Sequence, residues 1–294
     1  MSKENQWEQF ETLKLDYYYK KFQSEIVENF RQKHKQHLEN YKDKTSDYPR
    51  AIKQNDLNRL ADDNQIFLKN YHQLWMETQK VSDLIKPILF YYSWQQFAAF
   101  FIYSFLKWPN PPMGHGLQYG SGKDPDNLQE VTIELRETGF FKRLVDSFVI
   151  LGYPTAYGSW IPIPSDLGRT YRKNEIEPKI PTGKNKFVEI LDFDSKTFAR
   201  SLKEQFPNNF YVRHVDVLLT DFLIVFVASN LARYRPKLWI NVLEGIGEEE
   251  AKFKLKVETA YNAFNIDYFS FLNEVQNQFW KLKSSPTPFY PAKD

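Results

Sequence analysis

The chain has 294 residues, of which 42% are hydrophobic and 17% aromatic, enough to bury the core of one large domain or two ordinary ones. Its 39 Lys and Arg nearly balance its 37 Asp and Glu, so the net charge of +2 excludes a global basic surface for nucleic acid or membranes. The absence of cysteine excludes disulfides, thiol catalysis and thiolate metal sites.

The N-terminal region is polar, and we predict that residues 1–80 form two or three helices. Its apolar residues recur at helical spacing without a single glycine, and Pro49 marks a break between helices. The chain starts without the apolar core of a signal peptide, which together with the lack of cysteine favours a cytoplasmic location.

An uncharged stretch follows at residues 88–106 and has the length of a membrane span. Ser93 and two glutamines near its middle favour a helix buried inside the protein instead. Asp83 can cap this helix, which we expect to end at about Trp108.

Prolines and glycines then dominate the chain and exclude a helix until about Asn127. Alternating apolar residues at 131, 133 and 135 predict a half-buried strand, and a short helix is expected at residues 140–151. A second proline-rich stretch predicts loops and short strands, one of them at residues 187–193. We therefore interpret residues 109–193 as a loop and β insertion.

The last part of the chain is again helical. Ser195 can cap one helix, and an apolar helix is predicted at about residues 212–234 because Pro236 follows its end. Apolar residues recur every three or four positions over residues 253–279, which predicts one long helix in a C-terminal region of residues 246–294.

These elements predict a mainly α fold, a helical core with a small inserted β element. The core region is expected at residues 81–245. The two apolar helices, at about residues 85–107 and 212–235, should pack together as its centre.

Four segments of this region carry a family likeness. KPILFYYSWQQFAAFFIYSF starts at residue 86, GHGLQYG at 114, ETGFFKRL at 137 and SNLARYRPKLW at 229. They resemble the pattern of the YaaC-like family, which is an apolar helix, a Gly-His-Gly turn, a strand leading to a glycine-aromatic turn, and a late helix ending in Ala-Arg-Tyr-Arg-Pro. The resemblance covers about residues 83–240.

YaaC-like proteins resemble HEPN domains, helical nucleotide-binding domains of which many belong to toxin or phage-defence systems. Many HEPN domains are metal-independent RNases that use an Arg and a His separated by four to six residues. Arg31 and His37 match this pattern with five residues between them. A solvated basic helix face explains these two residues more simply, although such a face could also touch RNA phosphates.

Within the family-like segments, the candidate site residues are His115 and the helix end Arg233, Tyr234 and Arg235. An imidazole between two glycines can act as a general base or phosphate contact, or it can simply hydrogen-bond its own loop. Two guanidiniums can hold a phosphate bidentately, or they can balance the charge of a helix C-terminus. We expect all four residues to border one polar pocket, which a parallel or steeply crossed packing of the two apolar helices would permit.

Two carboxylates interrupt the apolar helix near its start, at Asp216 and Asp221. Buried carboxylates need partners, and we expect structural ion pairs with arginines rather than a catalytic role. No cofactor and no metal site are predicted.

Two functional hypotheses follow. In the first, the protein is HEPN-like and associated with RNA or a nucleotide in a stress or phage-defence pathway, as an RNase or as the regulator of one. In the second, it is a non-catalytic module whose aromatic surface binds a protein partner or a second copy of the chain. Neither hypothesis involves a membrane.

Overall fold

The computed structural model describes residues 54–106, 114–121, 127–150, 155–157, 179–194, 197–198, 200 and 212–262. The helices within them are α1 (Gln54–Thr78), α2 (Lys86–Leu106), α3 (Phe140–Ile150), α4 (Phe187–Asp192), α5 (Val212–Tyr234), α6 (Pro236–Glu244) and α7 (residues 248–262). The strands are β1 (Leu117–Ser121), β2 (Val131–Leu135) and β3 (Gly183–Lys186), which form one antiparallel sheet in the order β1-β2-β3. The predicted fold class, mainly α with a small β element, is confirmed.

The chain divides into two compact units. Of the described residues, the first unit holds α1 and residues 92–106, and the second holds residues 81–91 and everything from residue 114 onward. The domain limits that the sequence suggested, near residues 80 and 245, stay predictions.

In the first unit, aromatic rings of α1 and α2 pack together. The Tyr71 and Phe97 rings lie 5.4 Å apart, and Trp94 meets Phe97 edge to face at 6.2 Å. Ser93, a polar residue within the uncharged stretch, donates a hydrogen bond from its hydroxyl to the backbone oxygen of Tyr71 at 3.1 Å. A serine that is buried and hydrogen-bonded in this way fits a helix inside a protein.

In the second unit, β2 is the central strand of the sheet, and its side chains alternate as predicted. Val131, Ile133 and Leu135 are buried, and the two residues between them are partly exposed. One face of the sheet therefore belongs to the core of this unit.

The strand predicted at residues 187–193 is wrong, because residues 187 to 192 form the helix α4 and the strand β3 precedes them. The buried residues of α4 are Phe187, Ile190 and Leu191, a spacing of three and four that is helical rather than alternating. Beyond α4, Asp194 Oδ1 accepts a hydrogen bond from Thr197 N at 3.0 Å. The predicted cap, Ser195, lies outside the described residues.

α5 is buried along most of its length and forms the centre of the second unit. The Phe222 ring stacks on Phe140 and Phe141 at centroid distances of 6.3 and 5.8 Å, and it meets Tyr91 of α2 at 5.7 Å. Val215–Tyr234 is also long and apolar enough to cross a membrane by length and composition, and 89% of that window is buried within the protein. A helix surrounded by protein on every side needs no polar face, which explains why this composition resembles that of a membrane span.

α5 ends before Pro236, as predicted, and α6 starts at that proline. Gly245, with a φ of 67°, ends α6 in the left-handed conformation that glycine adopts readily. α7 contains the first part of the predicted C-terminal stripe, in which Phe253 is buried and Tyr261 contacts Phe90 at a ring distance of 4.4 Å. The rest of the stripe lies outside the described residues.

Asp216 is fully buried in α5, and the expected ion pair with an arginine is wrong for this residue. Its Oδ1 accepts hydrogen bonds from Thr155 Oγ1 and Ala156 N, both at 2.8 Å. Among the described residues no donor reaches Oδ2. Burial raises the pKa of Asp216 to about 7, although the hydrogen bonds from Ala156 and Thr155 oppose this rise. A carboxyl that is neutral below that pH needs no counter-ion, and for Asp221 the ion pair stays a prediction.

The buried carboxyl predicts a pH-dependent stability. The unfolded chain ionises Asp216 above about pH 4, whereas the folded protein keeps it protonated up to about pH 7, so unfolding free energy is lost as the pH rises through this window. Between pH 5 and pH 8, wild type should therefore lose roughly 2 to 3 kcal/mol of unfolding free energy relative to Asp216→Asn, because the amide does not titrate. Urea denaturation of both proteins at several pH values measures this difference. Parallel pH profiles for the two proteins would contradict this assignment.

The aromatic cluster predicts a large loss of stability for Phe222→Ala. Phe222 is 0% exposed, and removing its ring should lower the free energy of unfolding by about 3 to 5 kcal/mol. Leu255→Ala is the matched control, because that side chain is 64% exposed and its loss should cost less than about 0.5 kcal/mol. Equal denaturation midpoints for the two variants would remove Phe222 from the core.

Candidate functional site

A cleft of about 610 Å³ opens in the second unit between β1 and the C-terminal end of α5. Its lining residues are His115, Leu117, Gln118, Tyr119, Phe226, Asn230, Arg233, Tyr234 and Arg235. His115 and the helix end therefore border one cleft, as the sequence predicted. Their roles in binding or catalysis stay predictions.

His115 reaches the cleft from a loop segment, residues 114–116, that ends at β1. Gly114 and Gly116, on either side of it, have φ values of 79° and 70°, a conformation that favours glycine. Gly116 lies against Gly139 of the turn before α3, where a Cβ on Gly139 would come within 2.5 Å of Gly116 Cα. Only residues without side chains allow the two backbones to approach this closely.

The same loop satisfies backbone donors at the start of α3. Phe140 N donates to Gly114 O at 3.1 Å, and Phe141 N donates to His115 O at 2.9 Å. These amides lack acceptors within their own helix, and the carbonyl oxygens of the loop act as their acceptors. The loop that carries His115 is thus held in place by the first turn of α3.

The imidazole of His115 makes one described hydrogen bond, between Nδ1 and the hydroxyl of Tyr91 at 2.8 Å. Tyr91 is buried in α2, whereas the His115 side chain is exposed. Partial burial and the positive charge of Arg233 both lower the pKa of His115, which favours the neutral ring. The hydrogen bond to Tyr91 links the loop to a helix, and the hydrogen bond within the loop that the sequence left open stays a prediction.

Arg233 occupies the last turn of α5, where a cation is favourable. Its Nε donates to the backbone oxygen of Ser229 at 3.1 Å, and its guanidinium lies 5.2 Å from the ring centroid of Tyr234. Arg233 therefore fulfils the helix-end role considered from the sequence while it also lines the cleft.

Arg235 is placed by the proline that follows it. Because a residue before proline is driven out of the helical conformation, Arg235 has φ −138° and ψ 58° and separates α5 from α6. Its side chain is half-buried and lines the cleft beside Arg233. The break between the helices thus fixes the second guanidinium of the site.

The described lining of the cleft is basic. Two guanidiniums and an imidazole border it, and no Asp or Glu occurs among the described lining residues. Gln118, Asn230 and two tyrosines also line the cleft, while Leu117 and Phe226 make part of the wall apolar. In the part of the chain that the structure describes, no group of three His, Asp or Glu could hold a metal ion. The chemistry of this lining suits an anion with an apolar portion.

Two contacts connect the start of α2 to the helices on the arginine side of the cleft. Trp239 Nε1 donates to Asp83 O at 3.1 Å, and the Tyr91 ring contacts Phe226 at 5.5 Å. These contacts place the start of α2 beside α5 and α6, and the relative direction of the two apolar helices stays a prediction. His115 lies beside Tyr91, near the start of α2.

Sequence reasoning missed several lining residues. Phe226 and Asn230 lie seven and three positions before the predicted Arg233 and so share its face of α5, a spacing that could have identified them. Tyr91 gave no such signal, because 24 residues separate it from His115. Arg31 and His37, the other candidate catalytic pair, lie outside the described residues.

No protein-family model, curated protein or solved structure matches this chain.

The contact between the two glycines predicts that Gly139→Ala is more damaging than Gly183→Ala. Both glycines have φ above 100°, but a Cβ at Gly183 would meet no atom within 4 Å, whereas a Cβ at Gly139 would collide with Gly116. Left-handed strain alone costs about 1 to 2 kcal/mol, and the collision should add at least about 1 kcal/mol at Gly139. Equal denaturation midpoints for the two variants would show that the loop tolerates displacement.

Proposed function

We propose that the cleft binds the phosphate group of a nucleotide or of RNA, and that the protein is a YaaC-like, HEPN-like protein of a stress or phage-defence pathway. The observation that carries this proposal is the meeting of Arg233, Arg235 and His115 on one cleft without a carboxylate among its described lining residues. Guanidiniums bind phosphate by charge-assisted, often bidentate hydrogen bonds.

The size and walls of the cleft support an organic phosphate. A volume of about 610 Å³ lies in the range of small-molecule sites and is far larger than inorganic phosphate requires. Leu117 and Phe226 offer apolar contact, and the rings of Tyr119 and Tyr234 offer faces on which a nucleobase can stack.

The pathway is proposed from the resemblance. Two of the segments that carry the family likeness, GHGLQYG and SNLARYRPKLW, together supply eight of the nine lining residues, all but Phe226. A shared ligand is a reason for two such separate segments to occur together. As a HEPN-like protein, the chain would be an RNase or the regulator of one.

The two forms of the proposal make different demands on His115. An RNase would need this imidazole to take a proton from the attacking oxygen or give one to the leaving oxygen. A regulator would need it only as a contact to the bound phosphate.

Binding of single-stranded RNA should depend on Arg233. Arg233→Ala should raise the dissociation constant about 10- to 100-fold, because a hydrogen bond to a charged group contributes about 1.5 to 3 kcal/mol. Lys237→Ala is the matched control, since it removes one positive charge from an exposed residue close in sequence that does not line the cleft. Equal effects of both variants in a fluorescence-anisotropy titration would mean that RNA binds by overall charge rather than in the cleft.

A second candidate function, the non-catalytic interaction module, is favoured by exposed aliphatic side chains in the second unit. Leu84, Ile85 and Ile240 are 49%, 48% and 40% exposed, and the hydrogen bond between Trp239 and Asp83 brings their segments together. The partner considered is a second copy of the chain. Sedimentation velocity should then show a dimer that dissociates in the Ile85→Ser, Ile240→Ser double variant, and a monomer in wild type would rule this partner out.

A further inference from the structure

We propose that the cleft recognises a terminal phosphate, the phosphomonoester end of a nucleotide or RNA, and that Tyr91 positions His115 as a hydrogen-bond donor to it. This inference rests on the proposed function and specifies which phosphate the site takes. It depends on the Tyr91 to His115 hydrogen bond and on the charges that line the cleft.

The direction of the hydrogen bond follows from acidity. A phenol, with a pKa of about 10, is a far stronger acid than the N–H of a neutral imidazole, whose unprotonated nitrogen is the stronger base of the pair. Tyr91 therefore donates its hydroxyl proton to His115 Nδ1. A neutral ring that accepts at Nδ1 carries its proton on Nε2.

The surroundings of the His115 ring favour its neutral form. Arg233 and partial burial both disfavour the imidazolium and lower the pKa of His115. His115 thus offers an N–H donor from Nε2 rather than a basic nitrogen. A neutral donor is suited to binding an anionic oxygen and poorly suited to taking a proton from an attacking hydroxyl.

The charge of the cleft selects the kind of phosphate. A phosphomonoester carries about 1.5 to 2 negative charges at neutral pH and three strong acceptor oxygens. Two guanidiniums and one imidazole N–H match this charge and provide donors for three oxygens. An internal phosphodiester carries one negative charge and only two non-bridging oxygens, so it offers fewer acceptors to these donors.

Tyr91 is a positioning residue in this account, because it acts through His115. Its ring is buried against Phe222 and Phe226, so Tyr91→Phe removes the hydroxyl and leaves the aromatic packing in place. Without the hydroxyl, both neutral tautomers of His115 become accessible.

The test combines binding with nitrogen NMR of the full chain. A short RNA with a 5′-phosphate should bind at least about tenfold more tightly than the same RNA with a 5′-hydroxyl, because one charged group is recognised. Adenosine 5′-monophosphate should likewise exceed 3′,5′-cyclic adenosine monophosphate, and the stronger of the two monoesters identifies whether the source is RNA or a free nucleotide. In ¹⁵N spectra of the ligand-free protein, His115 should carry its proton on Nε2.

Tyr91→Phe should give a mixed tautomer spectrum and reduce the preference for the 5′-phosphate several-fold, with little change in the unfolding midpoint. A proton on Nδ1 in wild type would overturn the role of Tyr91, and that measurement needs no variant. Equal affinity for the phosphorylated and hydroxyl ends would overturn the terminal-phosphate inference alone. If none of the RNA or nucleotide probes binds, the proposed function fails as well.

Discussion

Gly116 and Gly139 lie backbone against backbone, and the geometry of the cleft depends on this close approach. A Cβ on Gly139 would collide with the backbone of Gly116, and a Cβ on Gly116 would press against the backbone around Gly139. The contact lets the loop carbonyls of Gly114 and His115 reach the first amides of α3, and it aligns Gly116 O with Arg136 N at the end of β2. From this point β1 runs along β2 in a fixed register, so Leu117, Gln118 and Tyr119 form one wall of the cleft.

The opposite wall depends on a second backbone constraint, the proline after α5. Pro236 stops the helix, and the residue before it leaves the helical conformation, which places Arg235 beside Arg233. The aromatic cluster around Phe222 connects the two walls, since this residue of α5 contacts α3 through Phe140 and Phe141. The glycine contact, the helix end at Pro236 and the packed ring of Phe222 thus bring a histidine and two arginines together from segments more than 100 residues apart.

Sequence predicted those features that local chemistry determines. The alternation in β2, the end of α5 at Pro236 and the burial of its apolar residues follow from period and proline geometry. The helix α4 was mistaken for a strand because its short apolar run fits either period, and the strand β3, of sequence GKNK, has no apolar pattern at all.

Part of the site was predictable because local chemistry determines it. The glycines around His115 and the arginines before Pro236 are visible in the sequence as unusual local chemistry. The hydrogen bond from Tyr91 and the neutral partners of Asp216 join residues 24 and about 60 positions apart, so they depend on tertiary packing that no local pattern encodes. Asp216 also shows why an arginine was wrongly expected, since a buried carboxyl can lose its charge instead of acquiring a counter-ion.

The most direct test of this account is a crystal structure of the protein grown with a nucleoside 5′-monophosphate. The account predicts that the phosphate lies in the cleft, with its oxygens within about 3 Å of the Arg233 and Arg235 guanidiniums and of His115 Nε2. A nucleotide bound elsewhere, or bound in the cleft with its phosphate directed away from both arginines, would contradict it.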